Sequence, residues 1–419
     1  MNNKTLIVVD HGLYTCVAMD MAKYFGKVKY INPRSEPYGH SPQAFIGEGL
    51  PGVERIDNLW KHIDKADYIF FPDVYDGYLQ KFLRNKGYRV CGSGQSEIME
   101  LNKTFFKTMI DKVGLPQSKT YRSEGLDDVW EFLKNKQGGD YYIKNSEPFR
   151  GDWETIKYLN KYQLEILLDG KRKQLGPVRS KCIELLIEKK INSVCEIGAD
   201  GFMLDGVMAP FSMCGYEIKD QGYIGKVFKE LPPIVNEINK KLEPIFKKIG
   251  GYAGPYSTEI RITENNKAYA IDLTTRCPSP PTGVELNIYG KSYAQAIIDL
   301  SECKMPALKP LKKYGAEIIL LSDSHDCSDI HIKFDPSIEN NLKLKNAVCR
   351  KGQYYCVVND NDGCFGTMVG TGNTIKEAIN QATSAMEGLE VDGLSWRHDV
   401  FDEAIETIRN GQKHGINFS

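Results

Sequence analysis

Four groups of residues occur along the chain in an order that suits phosphoryl chemistry. Lys103 and Lys107 stand one helical turn apart, and Lys144 ends the apolar run Tyr141-Tyr142-Ile143. Glu184, Glu188, Lys189 and Lys190 interrupt the apolar residues of Ile183-Glu184-Leu185-Leu186-Ile187-Glu188-Lys189-Lys190-Ile191. Glu259 and Asp272 lie on two runs joined by a short turn, with Thr274 and Arg276 just beyond. Lysines in such positions can neutralise transferring phosphates, and a lysine at the inner end of a strand is costly unless it meets an anion. Two neighbouring carboxylates supply hard oxygen ligands for Mg²⁺, and a guanidinium matches an anionic oxygen. Activation of a carboxylate by ATP needs these parts together in one closed pocket.

Those side chains need a frame. Residues 6–9, 27–31, 68–71 and 88–91 read as short strands, with helices over 14–25 and 75–86 and a turn-rich stretch at 32–52. That alternation predicts a small parallel sheet with flanking helices. No Gly-x-Gly-x-x-Gly follows the first strand, so little supports a dinucleotide site there. Ile98, Leu101, Phe105, Met109 and Val113 recur at three and four residues. They predict one helix from about 96 to 113, closed by Gly114 and Pro116, with Lys103 and Lys107 near one face.

From about 115 to 300 the pattern predicts strands at 141–144, 181–187, 193–197, 258–263 and 268–273, and helices at 231–249 and 289–300. Glu196 alternates with Cys195 and Ile197 and so takes the opposite face of its strand. Residues 257–276 read as a β-hairpin turning at 264–267, which sets Glu259 beside Asp272. The cluster Lys171, Arg172, Lys173 reads as a solvated turn, and the Pro306- and Pro310-bearing segment 302–313 as a connection. Beyond it lie strands at 316–322 and 354–358 and a helix opening at Thr374, which has capping-box spacing to Glu377.

Bulk properties narrow the function. A chain of 419 residues suits two or three domains, and a net charge of −1 gives no argument for a nucleic-acid or membrane partner. The run at 6–9 is too short for a signal-peptide core or a membrane span. Eleven cysteines without a C-x-x-C pair read as reduced thiols, which places the protein in the cytoplasm. Cys277 has no histidine paired with it in sequence and reads as a buried filler. His325, Asp326, Cys327 and His331 match no common zinc spacing, and Asp360-Asn361-Asp362-Gly363 is a turn without the Glu of an EF-hand.

The stretch Gly92-Ser93-Gly94, Met99-Glu100-Leu101-Asn102-Lys103-Thr104-Phe105-Phe106-Lys107, Gly114-Leu115-Pro116 resembles the entry to the ATP-grasp domain of glycinamide ribonucleotide synthetases. The hairpin resembles the superfamily's closing signature of Glu, hairpin, then Glu-x-Asn-x-Arg; here Asp272 and Thr274 replace Glu and Asn, and Arg276 is kept. Val369-Gly370-Thr371-Gly372-Asn373-Thr374-Ile375-Lys376-Glu377-Ala378 and Asp392-Gly393-Leu394-Ser395-Trp396-Arg397-His398-Asp399-Val400 are similar to the family's C-terminal domain.

The resemblance implies an α/β chain with the ATP-grasp fold: an N-terminal parallel-sheet domain over 1–95, the ATP-grasp domain over 96–305 with a mobile lobe at about 117–188, and a C-terminal α+β domain over 306–419. It implies Lys103 and Lys144 on the nucleotide phosphates. Arg150 would be either a clamp or an exposed arginine of a closing loop at 145–155. The backbone of Lys189, Lys190 and Ile191 would read adenine, with Glu188, Glu184 or Glu196 accepting from amino or ribose groups. Glu259, Asp272 and Thr274 would bind metal, with the second metal position weakened by Thr274. Lys144 and Arg276 are the catalytic candidates.

ATP with Mg²⁺, or Mn²⁺ in its place, are the implied cofactors, and a carboxylate, preferably an amino acid, plus an amine are the implied substrates. The expected reaction is amide formation through an acylphosphate with release of ADP and phosphate. A phosphotransferase or a non-catalytic ATP-binding protein on the same fold are the alternatives. Homodimerisation is common in such enzymes, though nothing in the sequence marks an interface. Where the family carries a Gly-Gly-Arg-Glu-His-type segment, this chain has Asp10-His11-Gly12-Leu13-Tyr14-Thr15, which implies a different acceptor.

Overall fold

The computed structural model describes residues 1–33, 45–147, 155–326, 329–357 and 363–418. The chain opens with β1 (Thr5–Val9), α1 (Thr15–Met21), β2 (Lys27–Ile31), β3 (Val53–Arg55), β4 (Tyr68–Phe70), α2 (Gly77–Asn85) and β5 (Val90–Cys91). The strands form one parallel sheet in the order β3-β2-β1-β4-β5. Leu6 and Val8 pack on one face with Tyr14 and Tyr30, while Ile7 and Val9 pack on the other with Ile31 and Leu83. Both faces are apolar because both are covered, as parallel sheets require. The sequence missed β3, which lies just past the turn-rich stretch.

The helix expected over 96–113 is broken. After a 3₁₀ turn, α3 (Ile98–Leu101) ends at Asn102, and α4 (Lys103–Lys112) begins anew. Asn102 is extended (φ −133°, ψ 97°), and its Oδ1 accepts from Phe105 N at 2.6 Å, an N-cap that competes with helix continuation.

A lobe with its own core follows: β6 (Thr120–Glu124), α5 (Leu126–Leu133), β7 (Tyr141–Asn145), β8 (Ile156–Lys157), α6 (Lys161–Cys182) and β9 (Glu184–Lys189). Its antiparallel sheet runs β6-β9-β7-β8 and packs Ile143, Leu185 and Ile187 against Leu126, Val129 and Leu164. Lys171, Arg172 and Lys173 lie in α6, not in a turn. Arg172 pairs there with Asp169 and Asp127, which offsets the basic run. The strand expected at 181–187 starts only at Glu184, because α6 runs to Cys182 past a kink at Gly176 (φ 73°).

The remainder comprises β10 (Cys195–Leu204), β11 (Val207–Met208), β12 (Ser212–Ile218), β13 (Gly222–Phe228), α7 (Pro233–Ile249), β14 (Ala253–Ile262), β15 (Ala268–Thr274), α8 (Thr282–Tyr289) and α9 (Lys291–Ser301). It continues with β16 (Tyr314–Ser322), β17 (Ile330–Phe334), β18 (Leu342–Leu344), β19 (Ala347–Arg350), β20 (Gln353–Cys356), β21 (Cys364–Gly372), α10 (Ile375–Ala385), β22 (Leu389–Val391), β23 (Leu394–Ser395) and α11 (Val400–Gln412). The helix expected over 289–300 is α9, which starts just past Gly290 (φ 47°), whereas α8 on the other side of that glycine was not expected.

The main sheet follows the path β15-β14-β10-β12-β13-β16-β21-β18. Because β13 pairs with β16, this sheet continues through the region around residue 306. A smaller sheet, β19-β20-β17-β22, lies beside it. Among the described residues, no helix is long and apolar enough to cross a membrane.

Candidate active site

β14 and β15 form the expected hairpin, and Glu259 stands directly opposite Asp272. A register shift after Glu259 brings Ile260 opposite Ala270, so Ile271 has no partner of its own; Ser257 still faces Thr274. Period-two alternation therefore puts Ser257, Glu259, Asp272 and Thr274 on one face. Burial, with repulsion from Asp272 and Glu196, pushes the Glu259 carboxyl up to about 7. Burial would do the same to Asp272, but Lys103 and Lys144 outweigh it and hold that carboxyl below the usual range. Lys103 Nζ donates to Asp272 Oδ2 at 2.5 Å.

The break at Asn102 makes Lys103 the first residue of α4. Its backbone N–H donates to Ser146 O at 2.7 Å, and Thr104 N donates to Ser146 Oγ at 3.3 Å. The start of α4 is thus tied to the residue that follows β7. One turn on, Lys107 reaches Glu188 Oε1 at 3.1 Å, while Lys144 from β7 lies 3.6 Å from Glu188 Oε2. Burial favours a neutral Glu188, yet the two lysines overcome it and keep the carboxyl below its ordinary range. Burial also lowers the proton affinity of Lys107.

These groups border a cleft of about 550 Å³ between the lobe and the main sheet, lined by Lys144, Glu188, Lys189, Ile191, Glu196, Glu259, Asp272, Thr274 and Arg276. Lys103 meets it through Asp272. Glu184 is not a lining residue: it is exposed at the far end of β9, where its carboxylate accepts from Thr104 Oγ1. Arg150 lies outside the described residues, as do Cys327 and Asp360 to Asp362. The amides of Lys189 and Lys190 donate to Lys119 O and Asp140 O, which leaves Ile191 as the hinge amide that a base would meet. Glu196 is exposed on the face opposite Cys195 and Ile197, as expected, and its carboxylate accepts from Arg261 Nε at 2.7 Å.

Arg276 is held in two directions. Its Nε donates to Glu100 Oε1 at 2.9 Å, and its Nη1 donates to Tyr14 Oη at 2.7 Å. Glu100 also accepts from Thr275 N at 2.6 Å. Burial opposes the charge on Arg276, but Tyr14, Glu100 and Asp73 outweigh it. Cys277 is buried beside Tyr293 Oη, and burial pushes its thiol far up, as suits a filler rather than a nucleophile.

Sequence reading missed Asp200, Glu217 and Tyr223, which also line the cleft, and Glu100 and Tyr14, which hold Arg276. Tyr223 Oη donates to Asp200 Oδ2 at 2.7 Å, and burial pushes Asp200 up to about 6. Gly215 permits this arrangement, since a Cβ there would lie 1.9 Å from the Tyr223 ring. The walls around Glu217 push its carboxyl up to about 8, with Glu259 adding repulsion, although its side chain still meets solvent. Glu100 was visible three residues before Lys103; β12 and β13, which together hold three glycines, gave no alternating signal.

Mg²⁺ is commonly held by one or two carboxylates, with substrate phosphates and water completing its shell. Glu259 and Asp272 fit that pattern, facing each other at the cleft, and a bound cation would favour the ionised form of Glu259, which burial first and Asp272 second now disfavour. Among the described residues, no group of three or more His, Cys, Asp or Glu side chains converges as a complete metal cage.

No family model matches the chain. The structure aligns with phosphoribosylamine–glycine ligase of Thermotoga maritima at a TM-score of 0.71, covering 94% of this chain and 99% of that one at 16% identity. The chain has the ATP-grasp fold. Another ATP-grasp structure, the biotin carboxylase domain dimer of Hydrogenobacter thermophilus 2-oxoglutarate carboxylase with MgADP, ADP and bicarbonate, aligns at a TM-score of 0.65 over 99% of each chain and 12% identity. In sequence, the carbamoyl phosphate synthase large chain of Sulfurisphaera tokodaii is 23% identical over 269 residues, 61% of this chain and 24% of that protein. The chain therefore spans about a quarter of that relative's length.

Proposed function

We propose that the chain is an ATP-dependent carboxylate–amine ligase that forms an amide through an acylphosphate. The observation that carries this reading is the meeting of Lys103 and Lys144 with the Glu259–Asp272 pair at one cleft. Three-way convergence of cations, carboxylates and a guanidinium is what phosphoryl transfer to a carboxylate requires.

In this reading Lys103 and Lys144 hold the ATP phosphates, and Ile191 offers its backbone to the base. Glu259 and Asp272, with Thr274 beside them, would hold Mg²⁺, which neutralises the developing phosphate charge when bound. A substrate carboxylate oxygen attacks the γ-phosphorus, and the bond from that phosphorus to the β–γ bridging oxygen breaks, leaving an acylphosphate and ADP. Arg276, its orientation fixed by Glu100 and Tyr14, faces the anionic oxygens of this step. An amine then attacks the acyl carbon, the bond to phosphate oxygen breaks, and the nitrogen loses a proton. Glycine in the name of the Thermotoga relative favours an amino acid as the carboxylate. The cysteines described are free thiols, in keeping with a cytoplasmic enzyme.

The test is ADP and phosphate release from Mg-ATP across a panel of amino acids and amines, with products weighed by mass spectrometry. A product equal to one carboxylate plus one amine less water supports the ligase. ADP release with a phosphorylated product and no amide would move the assignment to a phosphotransferase, and ATP binding without turnover to a non-catalytic protein.

A further inference from the structure

The ends of β13 and β16 away from the cleft border a second hollow of about 900 Å³. Five lysines line it: Lys226 and Lys229 from β13 and its extension, Lys312 and Lys313 from the connection into β16, and Lys376 from the first turn of α10. No carboxylate is among its described lining residues. Lys229, Lys312, Lys313 and Lys376 have no ion-pair partner among the described residues, in a chain whose net charge is −1. Tyr314 and Phe418 add aromatic surface to its wall.

The lysines are not simply scattered over a convex face. Val227 N donates to Lys313 O at 2.9 Å, and Tyr314 pairs with Lys226 in the sheet, so the two basic segments are fixed side by side. Lys226 Nζ donates to Asn417 O at 3.0 Å and lies 5.7 Å from the Tyr314 ring centre. Its proton affinity is lowered by burial and then by the repulsion of Lys313, so the cationic form is under electrostatic tension that an anion would relieve. Ammonium groups are compact, strongly hydrated donors suited to phosphate as point charges. A row of them in a hollow this size exceeds what one monoanion needs.

We propose that this basic hollow is a second binding site, separate from the catalytic cleft, for a small ligand carrying a chain of two or more phosphoryl groups. Inorganic polyphosphate and a nucleoside polyphosphate share that chemistry; the Tyr314 and Phe418 surface would add to the second alone.

The test is calorimetric titration of metal-free inorganic tripolyphosphate, and separately of ADP, into the full chain carrying Lys144→Met to weaken the cleft. The same titrations follow in a chain that also carries Lys312→Glu, Lys313→Glu and Lys376→Glu. These three side chains are exposed, and a thermal melt checks that the fold is kept. Binding about tenfold or more weaker in the charge-reversed chain supports the site. Tripolyphosphate binding as tightly as ADP identifies the phosphate chain alone as the ligand; tighter ADP binding identifies a nucleotide. Equal affinity with and without the reversals would overturn the proposal. Mg-ATP turnover of the chain with the reversals but intact Lys144 reads the ligase assignment independently, so the two ideas fail separately.

Discussion

Glu259 and Asp272 face each other across two paired strands, yet their carboxyls are driven in opposite directions. Asp272 has Lys103 at 2.5 Å and is held ionised, whereas Glu259 is raised to about 7 by burial and by that same ionised neighbour. The asymmetry makes Glu259 the member whose charge a bound cation would fix.

Replacing either acid should therefore remove turnover without removing the fold. Glu259→Gln and Asp272→Asn are each expected to lower Mg-ATP turnover by about a hundredfold or more. Initial rates of ADP release at saturating ATP check this, and near-normal rates would exclude the pair as metal ligands.

The same asymmetry predicts a pH effect on metal-free stability. In the unfolded chain Glu259 ionises near the ordinary glutamate value, whereas in the fold it keeps its proton to about pH 7. Between those values the folded state binds more protons, so Glu259 makes stability fall as pH rises. Other raised acids share the window, including Glu317 at about 7, so the comparison must be with Glu259→Gln. That variant should show a shallower decline in melting temperature from pH 5 to pH 8 than the parent, and parallel curves would count against the shift.

Glu188 stands between Lys107 and Lys144, and the Glu188 and Lys107 side chains are only 7% and 6% exposed. Glu188→Gln leaves two lysines facing each other without a counter-charge and should cost about 3 kcal/mol of stability. Adding Lys107→Met should recover part of that loss, as chemical denaturation can measure. A neutral single variant would mean that solvent already screens the trio.

Arg276→Lys keeps the charge but loses the fork that engages Glu100 and Tyr14 together. Turnover should fall by about a hundredfold while ATP affinity changes little. Loss of ATP binding with unchanged maximal rate would reassign Arg276 to the nucleotide.

A hydroxyl is a poorer metal ligand than an amide carbonyl. Thr274→Asn should therefore lower the Mg²⁺ concentration for half-maximal turnover by about threefold or more. An unchanged Mg²⁺ requirement would remove Thr274 from the metal shell.

Much of this centre was legible because hairpins and alternation are local. Residues 257–276 carry their own register, so Glu259 and Asp272 could be set side by side from sequence. Lys103 and Lys107 were likewise set one turn apart. The break at Asn102 was not legible, because the apolar spacing from Ile98 to Val113 passes through it unbroken; the cap that interrupts it is a side-chain choice. Glu188 was expected to receive a nucleotide hydrogen bond, and the salt link to two lysines from different elements could come only from tertiary packing. Asp200, Tyr223 and Gly215 depend on three strands meeting, information that no single window holds. Tyr14 reaches Arg276 across 262 residues of chain.

Ser146 binds the first two amides of α4, and Lys144 lies two residues before it, in β7. The two lysines that the proposed function sets on the phosphates are thus linked through one backbone contact, so a displacement of β7 would pull on the start of α4 that carries Lys103. Lys103 itself bonds Asp272 of the main sheet and Lys144 pairs with Glu188 of the lobe, so the Ser146 contact is a backbone bridge between two separately anchored ammonium groups.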